Sequence, residues 1–165
     1  MLQAIHIRKQ FQRSGEVLRD VPFETFIAKL PECRKQCGDR AVLRAFHIYA
    51  DNDRVAKQVA ALREGDFTTF LNLVGESGQS SWEYLQNVIP AGYKEHQEVA
   101  VTIAAAKHFL GGKGAVRVHG GGFAGTVQAF VPVELLAGFK ANMEAILGEG
   151  RCHVLSIRPE GGAVL

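Results

Sequence analysis

The sequence predicts an α+β domain in which an antiparallel sheet is covered on one face by helices. Three observations carry that prediction. A strand-like run, 115–119, and a run rich in β-branched and aromatic residues, 126–131, flank a glycine-rich stretch and read as two strands. Several longer segments repeat apolar residues every three or four positions and stop at glycine, as amphipathic helices do. From residue 94 onward the order is helix, strand, glycine loop, strand, helix, strand, a run that suits a sheet with its helices on one side.

Residues 1–13 place Leu2, Ile5, His6, Lys9 and Arg13 at near-helical spacing, which predicts a short helix broken by Gly15. Residues 16–21, just before Pro22, supply the early extended segment that a ferredoxin-like unit needs as its first strand. A short helix is predicted over 23–30, with Phe23, Phe26, Ile27 and Leu30 on one face and Pro31 just beyond its end. Asp39 is a candidate N-cap for a long helix ending at Glu64 and closed by Gly65. Its main stripe runs Ala41, Ala45, Ile48, Asn52, Val55, Val59 and Leu62. Asn52 interrupts this apolar line, as an asparagine bonded by neighbouring backbone or as part of a surface facing a second domain or a ligand cleft.

Asp66 caps the next helix, whose face is Phe67, Phe70, Leu71 and Val74, and Gly75 and Gly78 predict a break or bend within it. Ser77, Ser80 and Ser81 read as loop hydroxyls, with substrate contact as the alternative. Over 94–110 the stripe Val99, Ile103, Ala106 and Leu110 predicts a helix stopped by Gly111 and Gly112. Pro132 opens a helix over 133–147 with Leu136, Phe139, Met143 and Ile146 inward. Residues 151–158 then alternate, His153, Leu155 and Ile157 against Cys152, Val154 and Ser156, and predict the last strand.

A chain of 165 residues, 47% apolar and 22% charged, is an ordinary globular composition for one domain. A net charge of +2 gives no reason to expect nucleic acid. No apolar run approaches the roughly 20 residues of a membrane span. Arg8, Lys9 and Arg13 break up any leader-like apolar segment, so a cytoplasmic location without membrane contact is expected. Three cysteines make no disulfide framework; Cys33 and Cys37 lack two further ligands at zinc-site spacing, so reduced structural thiols and no metal site are expected.

Val116 to Phe130, VRVHGGGFAGTVQAF, carries the strongest functional signal. Glycines at 120, 121, 122 and 125 can expose successive main-chain N–H groups, a concavity suited to an anion. Gly120, Gly122 and Gly125 also satisfy G-x-G-x-x-G. A dinucleotide site, however, requires a helix directly after the loop, and the residues from Thr126 to Val131 read as a strand. An oversized hairpin turn remains the simpler alternative.

Three segments together resemble the C-terminal half of galactokinases, members of the galactokinase, homoserine kinase, mevalonate kinase and phosphomevalonate kinase (GHMP) superfamily. They are GDRAVLRAFHIYADNDRV (38–55), ALREGDFTTFLNLVGESGQSSWEYL (61–85) and GAVRVHGGGFAGTVQAFVP (114–132). The family's glycine motif, roughly T-G-G-G-F-G-G after a pair such as A-R-M, is matched by Ala115, Arg117, Gly120, Gly121, Gly122, Phe123 and Gly125. His119, Ala124 and Thr126 stand where the family often has Thr, Gly and Cys. Its helix signature, roughly R-A-x-H-x-x-x-E-N-x-R-V, is similar to Arg44, Ala45, His47, Asn52, Arg54 and Val55, with Asp51 for Glu.

The resemblance implies a GHMP-kinase C-terminal-like fold across 1–165, without the N-terminal ATP-binding domain that would be its partner. It implies ATP-dependent, Mg²⁺-dependent phosphorylation of galactose at the anomeric hydroxyl by the complete enzyme. His119, Gly120, Gly121, Gly122, Phe123, Ala124, Gly125 and Thr126 would form the substrate and phosphate cleft loop. Asn52 and Arg54 would lie at a domain interface or the cleft. The family's sugar-binding signature, its phosphate-binding G-x-G-L-S-S-S run and the segment bearing its catalytic aspartate have no counterpart in this sequence, so no catalytic residue is expected here.

Two or three N–H bonds to a charged acceptor contribute roughly 3–9 kcal/mol gross at about 1.5–3 each. Association costs about 4 kcal/mol or more, and micromolar binding needs about 8 net. The fragment is therefore expected to be inactive and to hold no nucleotide tightly, and to dimerise through the face it would otherwise bury. The alternatives are a sugar- or metabolite-sensing module derived from a galactokinase, and a purely structural interaction domain.

Overall fold

The structure, a computed structural model, describes residues 17–123 and 125–157. The helix predicted over 1–13, Ala124 and the end of the predicted last strand lie outside them. Leu18–Asp20 is a 3-10 turn, in which Asp20 N–H bonds to the Val17 carbonyl at 2.9 Å and Val21 N–H to that of Leu18 at 3.1 Å. The Asp20 carboxylate also accepts the Val17 N–H at 2.9 Å. An aspartate that bonds its own preceding backbone favours a turn over a strand, and over 17–21, the described part of the predicted first strand, no strand is formed.

Two short helices follow, α1 (Phe23–Ala28) and α2 (Leu30–Cys37). Pro31, expected to end a helix, sits in the first turn of α2, where its missing N–H has no intrahelical role. Helix α3 spans Asp39–Glu64 and stops at Gly65 in the left-handed region, φ 71°. Gly38 occupies the N-cap, and Asp39 lies inside the first turn with its carboxylate on Arg34 Nε at 2.6 Å.

Helix α4 (Phe67–Ser80) is capped by Asp66, which accepts the Thr69 N–H at 2.9 Å. It runs unbroken through Gly75 and Gly78, contrary to expectation, and continues into a π-helical turn, Ser81–Leu85, ended by Gln86 at φ 55°. Gly78 is needed for packing: a Cβ there would lie 2.8 Å from the Arg117 Cβ and 3.2 Å from the Val116 carbonyl oxygen. Helix α5 (Glu98–Leu110), strands β1 (Ala115–Val118) and β2 (Val127–Phe130) and helix α6 (Val133–Leu147) complete the order.

Strands β1 and β2 pair antiparallel with Ala115 opposite Phe130 and Arg117 opposite Gln128. Alternation puts Val116, Val118, Val127 and Ala129 on one face, where they pack with Val99, Ile103 and Leu110 of α5 and Met143 of α6. Arg117 and Phe130 take the other face and meet α4: Arg117 bonds to Ser77, and the Phe130 ring lies 5.5 Å from that of Phe70. The expected one-sided cover is thus corrected, because α4 closes the second face.

Among the described residues the sheet has two strands, so the domain is α+β but mostly helical. The strand predicted from 151 onward has no sheet partner over 151–157, and Val154, Leu155 and Ile157 are exposed. Alternation marks a strand only where an edge pairs with it and a surface covers it; here only Cys152 packs on the core. A second core joins Leu18, Phe26, Cys33, Ala41, Val42 and Ala45. Tyr49 pins the N-terminal turn to α3 by donating to the carbonyls of Leu18 (3.2 Å) and Val21 (3.0 Å). Burial, aided by Cys33, pushes the Tyr49 hydroxyl up to about 12.

Candidate functional site

The glycine loop is the exposed end of the β1–β2 hairpin. His119 N–H bonds to the Thr126 carbonyl at 3.0 Å and closes its neck. His119, Gly120, Gly121, Gly125 and Thr126 are exposed, and Phe123 is 45% exposed. Gly122 cannot carry a side chain: its φ is +76°, and a Cβ there would collide with the Asn87 carbonyl oxygen and lie 2.6 Å from the Asn87 Cβ. The next N–H, of Phe123, donates to that same carbonyl at 3.0 Å. Gly122 and Phe123 therefore seat the loop on Asn87.

That seat is a place of strain. Gln86 (φ 55°) and Phe123 (φ 59°) are the non-glycine residues with positive φ among those described; Phe123 makes the contact and Gln86 precedes the residue it meets. Each such residue costs on the order of 1–3 kcal/mol. Asn87 itself is 2% exposed, and neither its Oδ1 nor its Nδ2 meets a partner among the described residues. Nothing in the spacing around residue 87 singled it out. The contact pairs residues 35 positions apart, and only the three-dimensional structure reveals it.

A partly buried polar layer links α3, α4 and β1. Ser80 Oγ and His47 Nδ1 are 2.9 Å apart, and His47 Nε2 faces Asp51 Oδ2 at 3.6 Å. Ser77 Oγ donates to Asp51 Oδ1 at 2.6 Å and accepts from Arg117 Nη1 at 2.7 Å. Arg54 Nη1 reaches Asp51 Oδ1 at 3.1 Å, and its Nε faces Glu76 at 3.6 Å. Burial lowers the His47 pKa; Asp51 opposes the shift, and Arg54 and Arg117 add to it. Serine, histidine and carboxylate stand in nucleophile order, yet Ser80, His47 and Ser77 are all buried, so no substrate meets the hydroxyl. The layer is scaffold: it ties α3 and α4 to β1, the strand that delivers the loop.

The predicted site residues divide accordingly. The loop residues sit together, apart from Ala124, which lies outside the described residues. Arg54 belongs to the polar layer and connects to β1 through Asp51, Ser77 and Arg117. Asn52 is exposed and does not interrupt a buried line. The buried residues of α3 are Ala41, Val42, Ala45, His47 and Ala61, and beyond Asn52 the predicted stripe turns outward at Val55, Val59 and Leu62. Ser77, Ser80 and Ser81 lie on a helix and a π turn, buried, and not in a loop.

Cys33 is fully buried, and burial, with Cys37 and Glu32, raises its thiol pKa; burial likewise raises that of Cys152. Among the described residues no three His, Cys, Asp or Glu side chains group to hold a metal, and no helix is long and apolar enough to cross a membrane. The exposed glycine main chain suits an oxyanion such as a phosphate.

No family pattern matches the chain. It is, however, 33% identical over 119 residues to a protein named galactokinase from Mannheimia succiniciproducens, a match covering 72% of this chain and 29% of that protein. A galactokinase from Glaesserella parasuis serovar 5 is 34% identical, and one from Actinobacillus pleuropneumoniae is 33% identical, over the same shares. The chain thus spans about 29% of the length of the relatives it matches.

Proposed function

We propose that this chain, a homologue of galactokinases over 72% of its length, is the C-terminal domain of a galactokinase-type sugar kinase. Its glycine loop forms one wall of the substrate and phosphate cleft. The observation that carries the reading is the seating of the loop. Gly122 and the Phe123 N–H fix it on Asn87, while His119, Gly120, Gly121, Gly125 and Thr126 stay exposed at the tip of a two-sided, well-packed hairpin.

Phosphoryl transfer is largely positioning and charge stabilisation, so main-chain donors held in a fixed concavity contribute without themselves reacting. In the complete enzyme ATP and Mg²⁺ supply the transferable phosphoryl group and its charge neutralisation, and galactose supplies the anomeric hydroxyl. This chain's part is narrower. The polar layer from Arg54 to Arg117 holds β1 against α4, and the Asn87 contact sets the loop's position relative to that rigid base. The acidic base and the remaining phosphate ligands come from an N-terminal domain.

A coupled assay of galactose phosphorylation tests this division of labour. The chain alone is expected to show no ATP-dependent turnover. Turnover by the chain alone would overturn the reading, because the machinery would then have to lie within these residues.

A further inference from the structure

We propose that a second site, lined by no residue of the glycine loop, binds a small aromatic oxyanion, a flat ring bearing a carboxylate or phosphate group, between Arg40 of α3 and the aromatic side chains of Trp82 and Tyr93. The cleft there has a volume of about 440 Å³, with Gln86 and Pro90 also in its wall. That is within the roughly 300–1,000 Å³ of small-molecule sites.

Arg40 supplies the charge. Among the described residues no carboxylate pairs with it, the neighbouring Asp39 being held by Arg34 at 2.6 Å; its Nη2 makes one long bond of 3.5 Å to the Gln86 carbonyl, and its Nε is buried without a partner. Arg44, one turn further along α3, donates from Nε to the Leu85 carbonyl at 3.2 Å. Burial, and after it the Arg40 charge, lowers the Arg44 pKa, so the two cations repel across this end of the helix. Glu83, close by in sequence, accepts from Gln79 at 2.8 Å. A planar guanidinium held this way matches the two oxygens of a carboxylate or phosphate.

The rings supply the rest. Trp82 is 37% and Tyr93 57% exposed, both in the wall that holds Arg40. Exposed aromatic faces beside a cation favour a flat ring that stacks while its oxyanion meets the guanidinium. The wall is also built on an irregularity: the π turn at Ser81–Leu85 and the left-handed Gln86 carry Trp82 to this position. Such π turns recur at functional sites.

Trp82 is the one tryptophan of the chain, so its fluorescence reads this cleft directly. Phenyl phosphate, benzoate, inorganic phosphate and benzyl alcohol are titrated into the protein with excitation selective for tryptophan. A saturable change is expected with phenyl phosphate or benzoate, the stronger of the two identifying the anion, and a response at least tenfold weaker with inorganic phosphate or benzyl alcohol. R40Q, shown folded by circular dichroism, is expected to lose at least tenfold in affinity, and R40K to recover part of it. Should R40Q not fold, Y93A, a change at an exposed ring, is expected to weaken binding at least threefold. Absence of saturation with both aryl anions, equal binding of benzyl alcohol, or undiminished binding by folded R40Q or by Y93A would overturn the proposal. The site shares no residue with the loop, so G121V leaves this binding unchanged whatever becomes of the kinase reading.

Discussion

A side chain at position 122 has nowhere to go, since positive φ and the Asn87 carbonyl both exclude it. Gly122→Ala should therefore cost more than the roughly 1–3 kcal/mol typical of overpacking, or unseat the loop. Urea unfolding combined with hydrogen exchange at Phe123 checks this, because the Phe123 N–H loses its protection when the loop leaves Asn87. Gly121, with open space around its Cβ position and no positive φ, is the control: Gly121→Val should leave stability within about 0.5 kcal/mol. His47 offers a second test. Its pKa is lowered in the folded state, so the unfolded chain, titrating near 6.5, binds the proton first as the pH falls. The associated stability is fully present above about pH 6.5 and is lost progressively below it, each unit of depression being worth about 1.4 kcal/mol. Urea midpoints at pH 7.5 and 5.5 should show that loss, and His47→Gln should flatten it; an unchanged slope would remove His47 as its cause.

At the scale of elements, Gly75 and Gly78 in α4 separate propensity from packing. Alanine gains about 1 kcal/mol over glycine in a helix interior. Gly75 has open space, so Gly75→Ala should stabilise by about 0.5–1 kcal/mol. Gly78 lies against the Arg117 Cβ, so Gly78→Ala should destabilise by about 1–2 kcal/mol net of that gain, both read by thermal unfolding. The same pair shows what was legible in the sequence. Glycine by itself predicts a helix break there, whereas the partner strand that makes Gly78 useful lies about 40 residues away. Elements with strong periodicity and glycine stops, α3, α5 and α6, and the β1–β2 hairpin emerged close to their predicted bounds. The 3-10 turn at Leu18–Asp20 and helix α2 were missed, because Asp20 bonding its own backbone and a proline opening a helix are cap chemistry that periodicity does not register. The glycine loop was legible from composition; its seat on Asn87 and the polar layer were not, since each joins residues distant in sequence.

Among the described residues two small cores are joined by a polar layer, with apolar surface left over. Val55, Val59 and Leu62 share one side of α3 beyond Asn52, at 55%, 42% and 45% exposure, and Phe67 follows at 64%. A set of apolar side chains spaced along one helix marks an interaction surface. The relatives are more than three times the length matched by this chain, so in a complete kinase this face is expected to meet other chain. In isolation, self-association is the expected result: sedimentation at increasing concentration should show it, and Val59→Glu should restore the monomer. A stable monomer at high concentration would remove that surface from consideration.

The central claim is that the exposed glycine loop contacts phosphate. Titration of the isotope-labelled protein with inorganic pyrophosphate, followed by amide chemical shifts, tests it most directly. Concerted, saturable shifts are expected at His119, Gly120, Gly121, Phe123, Gly125 and Thr126, with a dissociation constant in the millimolar range, as a few N–H bonds allow. Gly121→Val, folded as the wild type, should abolish them. Loop amides that stay unmoved at tens of millimolar pyrophosphate, or that move equally in Gly121→Val, would contradict the claim and leave the loop a turn.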